Sequence, residues 1–519
     1  MKMKTSIQTV DKSDEEYKNN IAINIKYFPQ RWVMAAMATL GLTMTMLMRA
    51  SLSVTITQMV LATVNNVQSA ADKGKSIYCP VPPSVKLGDG NTTTVVENYG
   101  DRFDWDQPTQ GMVLSAFFYG YIITHIPGSI LAQKYGGKYI MGLGVLCSSV
   151  LTLLTPFVAH FGPTPLMALR FVEGLGEGST FPALCTLLAR WAPPLEKGRL
   201  STIVFSGAQI GNILAILLSG MIIVYVPGGW PNVFYIYGSC SIIWFCVWCM
   251  VVYDDPESHP FISEEEREYL KQSIGNVEKI EDLAPTPWKR ILTSWPVWAL
   301  IVIECGHDWA FYTIMTDLPK YQNDVLHFSI KQNALLSSIP FMAQWITSIS
   351  SSILCDWLLK KNYMSVTAVR KTFAAVGNIL PAYGVMAASF VGCDTVATTL
   401  FFTLGMSMMG FSCSSIRINA LDLSPNYSAS IMALVNGIGS MTGMISPYVT
   451  GVLTTQRTVL EWRLVFWIML IIMMTSTITF IIFGSAKLQP WNDSYNNLGN
   501  NLDNKLKTFG KMNNAQITD

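Results

Sequence analysis

Three ionisable residues lie inside a stretch of the chain that is otherwise apolar enough to cross a lipid bilayer. Residues 164–200 read TPLMALRFVEGLGEGSTFPALCTLLARWAPPLEKGRL and include Arg170, Glu173 and Glu177. An ionisable side chain near the centre of a membrane helix costs about 2.5–3.5 kcal/mol on insertion scales, so these three need partners or water. At about 100° per residue they share one helical face, which predicts a polar seam turned toward a cavity.

These residue types predict recognition of an anion and coupling to a cation. The planar guanidinium of arginine donates paired hydrogen bonds to a carboxylate or a phosphate. A buried carboxyl group can load and release a proton when its charged partner changes. Gly174, Gly176 and Gly178 alternate with the charged residues and would let a neighbouring helix approach closely. A buried ion pair that only fixes helix packing is the alternative interpretation.

The composition indicates a polytopic membrane protein. Half of the 519 residues are hydrophobic and 13% are charged, whereas about 25% is usual in soluble domains. The formal net charge of +1 gives no reason to expect a nucleic-acid partner. The first 30 residues are polar and carry charges of both signs, so we expect no secretory signal before the first membrane segment.

Twelve apolar segments are long enough to be membrane helices, since a bilayer core of about 30 Å takes around 20 helical residues. We number these segments spans 1–12, and they are predicted near 33–58, 110–132, 139–158, 165–189, 200–226, 232–253, 296–318, 333–355, 369–390, 396–418, 428–452 and 462–484. The predicted fold class is therefore an all-α membrane protein of twelve helices in two six-helix bundles.

Basic residues gather in the loops of one side. The short loops after spans 2, 4 and 8 hold nine, namely Lys134, Lys138, Arg190, Lys197, Arg199, Lys360, Lys361, Arg370 and Lys371. The short loops after spans 3, 5, 7, 9 and 11 hold three, namely Lys320, Lys331 and Arg457. Because cytoplasmic loops carry the excess of lysine and arginine, both termini are predicted to be cytoplasmic.

The predicted domain organisation follows from these spans. It comprises a cytoplasmic tail 1–31, a first bundle 32–253 with an outer loop 61–109, a cytoplasmic linker 254–295, a second bundle 296–485 and a tail 486–519. In the linker, Ser263 and Glu266 form a capping-box pattern that predicts a short solvated helix. Asn91 opens the glycosylation sequon of the outer loop. Cys79 and Cys393 are expected to face outside, and a disulfide between them stays open.

The two halves repeat one another, and the chain resembles a known family. Ser129-Ile-Leu-Ala-Gln-Lys after span 2 matches Ser352-Ile-Leu-Cys-Asp-Trp after span 8, and six plus six spans with a repeated loop resembles the major facilitator superfamily. The segments RFVEGLGEGSTFPA, RWAPPLEKGRL, FFYGYIITHIPGS, MRASLSV, DWAFYT and NALDLSPNYSAS together resemble the anion transporter family of sialin, the vesicular glutamate transporters and the type I sodium-phosphate cotransporters. The chain also resembles, in general pattern, insect proteins described as inorganic phosphate cotransporters. The resemblance covers about residues 30–490.

The resemblance implies roles for residues in the first half. Arg49 lies too deep in span 1 to extend back to the inner surface, and it matches the first-span arginine of the family. Arg49 and Arg170 are expected to bind the anion, and Glu177, with Glu173, is expected to couple transport to a cation. Of Tyr119 and Tyr121 in span 2, one is expected to face the cavity, because neighbours on a helix point about 100° apart; we assign Tyr119 to the substrate.

Span 7 carries a second cluster, Glu304, His307 and Asp308, again close to one helical face. His307 stands where the vesicular glutamate transporters carry an arginine, so the resemblance does not extend to glutamate specificity. We assign His307 to the substrate and Asp308 to ion coupling; a hydrogen-bonding role is the alternative for His307. Arg417 near the end of span 10 also departs from the family, and we expect it to extend to the inner surface.

The sequence holds no signature of an enzyme. Gly74-Lys75-Ser76 resembles the end of a phosphate loop, but Ser69 occupies the required first glycine position. The five histidines have no metal-ligand spacing, and we expect no metal and no cofactor.

We therefore expect a secondary active transporter of small organic or inorganic anions, coupled to protons or sodium, in the plasma membrane or a lysosomal or vesicular membrane. The bilayer and the anion are its predicted partners. The alternatives are a sodium-coupled phosphate cotransporter and, in a different class, a nontransporting sensor or an anion channel.

Overall fold

The fold consists of helices that span the predicted apolar segments. A computed structural model describes residues 29–60, 79, 100–193, 196–274, 286–424 and 427–492. Within these ranges the β-structure is limited to an isolated bridge between Val60 and Phe103. The spans fall into two sets of six, as predicted. Their bounds are Gln30–Met59, Gln107–Tyr135, Gly137–Ala159, Pro163–Glu177 with Thr180–Trp191, Lys197–Tyr225, Pro231–Val251, Trp295–Asp324, Ile330–Lys360, Val366–Val391, Thr395–Met408 with Ile416–Leu423, Ser428–Gly439 with Met441–Leu453, and Val459–Phe483.

Eight helices in the described part of the chain are each long and apolar enough to cross a membrane alone. The other four are the interrupted spans 4 and 11 and the polar spans 7 and 8. Capping fixes several helix starts: the Asp106 side chain accepts from the Thr109 amide in span 2, and Ser329 and Gln332 form a reciprocal capping box in span 8. Each cap satisfies amide groups that the first turn leaves unpaired.

Span 4 is interrupted, whereas the sequence predicts one continuous helix over 165–189. Its first part ends at Glu177 and its second part begins at Thr180. In a continuous helix, the N–H group of residue 182 would donate to the carbonyl of Gly178. Residue 182 is a proline and has no N–H group, so this hydrogen bond is missing. His125 of span 2 contacts that carbonyl instead, with Nδ1 at 3.1 Å from the oxygen. The interruption therefore lies directly after the acidic residues of the span.

Span 10 passes through a 3₁₀ segment, Met409–Ser414, before it resumes at Ile416. Arg370 of span 9 stabilises this irregular turn by donating from Nη1 to the Ser414 carbonyl at 2.6 Å. The same guanidinium binds Asp422, with Nε at 2.7 Å from Oδ2. Arg370, counted above with the surface charges of the inner loops, is therefore a buried structural residue.

The two sets of spans pack tightly at one end. Spans 2 and 11 meet there so closely that a Cβ on Gly111 would lie 2.5 Å from the Pro447 carbonyl oxygen. Gln107 of span 2 donates to Asp324 of span 7 at 3.2 Å. A disulfide between Cys79 and Cys393 joins the chain between spans 1 and 2 to the loop between spans 9 and 10. This end is the predicted outer side.

The linker helix occupies Glu264–Ile274 and packs on the first set of spans. The Glu266 amide donates to the Ser263 hydroxyl at 3.2 Å, as the capping pattern predicts. The Glu266 carboxylate, however, binds Arg31, with Nη1 at 2.9 Å, and accepts from the Gln30 amide at 2.7 Å. The prediction of a solvated helix was wrong at this residue, because Glu266 is buried at the start of span 1.

Several predictions lie outside the described residues. These are the sequon at Asn91, most of the outer loop 61–109 and most of the two tails.

Candidate functional site

Arg49 of span 1 and Glu177 of span 4 form an ion pair inside the first set of spans. Arg49 Nη2 lies 2.9 Å and Nε 3.2 Å from the same oxygen, Glu177 Oε2. Both residues are buried, at 8% and 0% exposure. Glu177 Oε1 is also buried and has no hydrogen-bonding partner among the described residues. The carboxylate therefore has one oxygen engaged by arginine and one that is able to take a proton.

A second ion pair lies next to the first. Arg170 Nη1 donates to Glu173 Oε2 at 2.7 Å, and Thr152 of span 3 donates to Glu173 Oε1 at 3.0 Å. Arg170 Nη2 reaches the Arg49 carbonyl at 3.5 Å. Arg170, Glu173 and Glu177 share the buried face of span 4, as predicted. Two arginines and two carboxylates are thus held within one buried network.

Two aromatic side chains of span 2 enclose the Arg49 guanidinium. Its central carbon lies 4.6 Å from the ring centres of both Phe117 and Tyr121. These contacts place the buried cation against two aromatic rings. Tyr119, which we assigned to the substrate, is half exposed and lies on the opposite apolar face of span 2 with Ile123. The structure therefore brings Tyr121, and not Tyr119, to the arginine.

Close packing of spans 2 and 4 holds these side chains together. A Cβ on Gly174 would collide with the Phe117 carbonyl, and a Cβ on Gly120 would collide with the Phe171 carbonyl. A Cβ on Gly178 would collide with Tyr121. Only glycine permits backbones to approach this closely. The sequence prediction that glycines between the charged residues allow a close helix approach is confirmed.

The charged residues of span 7 form a separate buried cluster in the second set. Glu304, His307 and Asp308 are 2%, 4% and 7% exposed. His307 Nδ1 lies 3.2 Å from Asn378 Oδ1 of span 9, which fits a hydrogen-bonding role. Gly439 of span 11 lies against both acidic side chains, and a Cβ there would come 2.7 Å from Asp308 Oδ2 and 3.1 Å from Glu304 Cγ.

Tyr312 connects the two clusters across the boundary between the sets. Its ring centre lies 4.7 Å from that of Phe118 in span 2. The charges of Arg49 and Asp308 both act on its hydroxyl. Sequence reasoning missed Tyr312, although it lies four residues after Asp308 on the same helical face.

Within the described residues, no group of histidine, cysteine, aspartate and glutamate is arranged to hold a metal ion. The site therefore offers charged and aromatic side chains for binding, in two clusters on opposite sides of the boundary between the sets.

The chain is similar to a known family over most of its length. The model of the Major Facilitator Superfamily matches residues 38–447. Sialin from Homo sapiens is 38% identical over 462 residues, covering 89% of this chain and 90% of sialin. A Drosophila melanogaster protein named "Putative inorganic phosphate cotransporter" is 35% identical over 472 residues, covering 90% of this chain and 87% of that protein. Vesicular glutamate transporter 3 from Danio rerio is 35% identical over 471 residues, covering 90% and 75%.

Solved structures share the fold at low sequence identity. A bacterial homolog of the human lysosomal transporter Spinster, in an inward-facing and occupied conformation, has a TM-score of 0.62 at 13% identity, covering 88% of this chain and 97% of that chain. A D-xylose-proton symporter has a TM-score of 0.61 at 14% identity, covering 88% and 99%.

The matching model, the sequence relatives and the shared fold agree with one another. The chain belongs to the major facilitator superfamily and, within it, to the anion transporter family of sialin, the vesicular glutamate transporters and the inorganic phosphate cotransporters.

Proposed function

We propose that this secondary active anion transporter binds a small organic oxyanion at Arg49 and Arg170 and couples its movement to protons through Glu177 and Glu173. The observation that carries the proposal is the buried pair of Arg49 and Glu177, whose contact is 2.9 Å. A buried guanidinium is a costly charge, and the network supplies it with a carboxylate that an anionic substrate can replace.

The coupling mechanism follows from competition for Arg49. With Glu177 ionised, its Oε2 occupies the donors that a substrate carboxylate would use. When Glu177 binds a proton, the ion pair weakens and the substrate oxyanion takes its place on the guanidinium. One proton and one negative charge then enter together, so the charge of the site is conserved. Release of the substrate restores the ion pair and expels the proton.

A proton suits this network better than a sodium ion. A proton needs one free carboxylate oxygen, and Glu177 Oε1 supplies it. Sodium, like other hard cations, needs several converging oxygen ligands, whereas Glu173 is already bound by Arg170 and Thr152. Sodium coupling is the alternative that the transport assay distinguishes.

Span 7 supplies the second half of the proposed site. Asp308 and Glu304 form an acidic pair that adjusts the charge of the binding space, and His307 orients the helix through Asn378. We propose that the bundles 32–253 and 296–485 rock against each other about the proposed site, near the middle of the membrane, to give alternating access. In this proposal both termini are cytoplasmic and the protein lies in the plasma membrane or a lysosomal or vesicular membrane.

Transport by purified protein in proteoliposomes tests the proposal. Radiolabelled sialic acid, glutamate, urate and phosphate are offered separately under an imposed proton gradient and an imposed sodium gradient. We expect saturable, concentrative uptake of an organic anion under the proton gradient. A sensor would show no uptake, and a channel would follow the electrochemical gradient without saturation. Uptake of phosphate driven by sodium alone would replace the proposal with the cotransporter alternative.

A further inference from the structure

Arg417 of span 10 is exposed, although it lies well inside the helix pair that forms this span. It follows the 3₁₀ segment Met409–Ser414, where the span changes direction, and it precedes the end of the span at Leu423. The side chain of Arg417 is exposed, whereas the carboxylates of span 7 are buried. The guanidinium is therefore accessible to a partner that is not a side chain of this protein, such as a small anion.

Other arginines that lie more than one turn inside the spans are already engaged. Arg49 binds Glu177, and Arg170 binds Glu173. Arg370 binds Asp422, and Arg463 donates to the Ser389 carbonyl at 3.1 Å. Arg417, by comparison, makes no hydrogen bond or ion pair with the part of the chain that the structure describes.

The surroundings of Arg417 place it at the boundary between the two sets of spans. Its guanidinium lies within electrostatic range of Cys413 in its own span and of Glu304, Asp308 and Tyr312 of span 7. Glu304 and Asp308 are buried against Gly439 of span 11, and Tyr312 contacts span 2. A guanidinium that is exposed and also acts on these groups faces the space between the sets. This placement is the alternative to the expectation that Arg417 extends to the inner surface.

The end of the molecule that carries the disulfide is closed, and Arg417 lies toward the opposite end. Gly111 and Pro447 are in contact at the closed end, and Gln107 binds Asp324 there. An anion that approaches from that opposite end meets Arg417 before it reaches Arg49. Its planar donor fork is the geometry that a carboxylate or phosphate accepts.

We propose that Arg417 is a substrate-binding residue of the second set, where it receives a small oxyanion at the face that carries the linker helix. The inference rests on the proposed transport function. The anion would be held between Arg417 and the first-set arginines, with Glu304 and Asp308 as the local competitors for the guanidinium. Neither Arg49 nor Arg170 has to leave its carboxylate for this first contact.

The test compares substrate affinity at the two faces of the transporter. Wild type, Arg417→Gln, Arg417→Lys and Lys361→Gln are reconstituted in vesicles of known orientation, and KM and kcat are measured at each face with sialic acid, glutamate and phosphate. Lys361 is an exposed inner-loop lysine, so its variant controls for the loss of one positive charge from that face. A charge-assisted hydrogen bond corresponds to a tenfold change or more in affinity.

We expect Arg417→Gln to raise KM about tenfold at the face with the linker helix, with little change in KM at the other face. The ratio of the two kcat values must change to compensate, because the equilibrium of substrate across the membrane fixes the ratio of kcat/KM at the two faces. Arg417→Lys should recover part of the affinity, and Lys361→Gln should behave like wild type. An unchanged KM at both faces, or an equal loss at both, would overturn the proposal. If Arg417→Gln does not reach the membrane, Arg417→Lys decides by the same comparison. Failure of wild type to transport any probe would count against the proposed function instead.

Discussion

The guanidinium of Arg49 donates two hydrogen bonds to a single oxygen of Glu177, at 2.9 and 3.2 Å, and in the part of the chain that the structure describes the other oxygen has no partner. A bidentate arrangement would have engaged both carboxylate oxygens. The observed arrangement leaves one Arg49 nitrogen, Nη1, outside the pair. The same two residues therefore hold a place for a proton and a donor for an anion.

Arg49→Lys is expected to abolish most uptake although the protein still reaches its membrane. Lysine keeps the positive charge but loses the planar fork, and its compact ammonium cannot stack on Phe117 and Tyr121 in the same way. Initial rates of labelled substrate uptake, normalised to the amount of protein in the vesicles, measure the effect. Normal uptake by a well-expressed variant would remove Arg49 from the recognition site.

Glu177→Gln is expected to abolish proton-driven net uptake but to spare counterflow. Glutamine keeps the size of the side chain and fixes the neutral state, so it mimics a carrier that is permanently protonated. Such a carrier exchanges substrate for substrate, because that half-cycle releases no proton, but it cannot accumulate substrate. Both activities are measured in the same vesicles, with inner and outer pH set independently.

Glu173→Gln is the matched control for this experiment. Glu173 is bound by both Arg170 and Thr152 and has no uncommitted oxygen, so its replacement should impair proton-driven uptake less completely. If Glu177→Gln still accumulates substrate under a proton gradient, coupling lies elsewhere, and Glu304 and Asp308 are the next residues to replace.

Gly174→Ala is expected to destabilise the protein by roughly 1–3 kcal/mol or more, because the added Cβ would collide with the backbone of span 2. Gly437→Ala is the matched control, since its nearest atom outside its own helix, His125 Cδ2, is 4.0 Å from the added carbon. Alanine there should be neutral or should stabilise the helix by up to about 1 kcal/mol. Thermal unfolding of the two purified variants compares them. Equal unfolding temperatures would contradict the packing argument.

Asn91 is expected to be glycosylated if its sequon is used, because the loop 61–109 is predicted to face outside or the lumen. Glycosidase treatment should shift the band of the wild type to that of Asn91→Gln and leave the band of Asn91→Gln unchanged. Asn492 also stands in a sequon, but its Oδ1 accepts from the Ser424 hydroxyl at 2.7 Å in a buried position at the predicted inner side. A glycan at Asn492 would overturn the topology.

The positions of the membrane helices could be predicted from the sequence because they depend on local hydrophobicity. Crossing a bilayer requires about 20 consecutive apolar residues, whatever the segment packs against. The shared face of Arg170, Glu173 and Glu177 is also local, since helical periodicity alone sets it. The same reasoning could not find the interruption after Glu177, which depends on Pro182 and on a histidine of another span.

The tertiary structure decided which side chains of the site contact each other. Periodicity placed Glu177 on the same face as Arg170, yet Glu177 binds Arg49 of span 1, because span 1 brings a guanidinium to that depth. Tyr121, and not Tyr119, contacts Arg49 because its face of span 2 packs against spans 1 and 4. The local sequence around the two tyrosines does not show which face is packed. The sequence by itself determined the family, the spans and the charged residues that must be compensated. The packing of helices distant in sequence decided which charges pair with each other, and it left Arg417 exposed while Glu304 and Asp308 are buried.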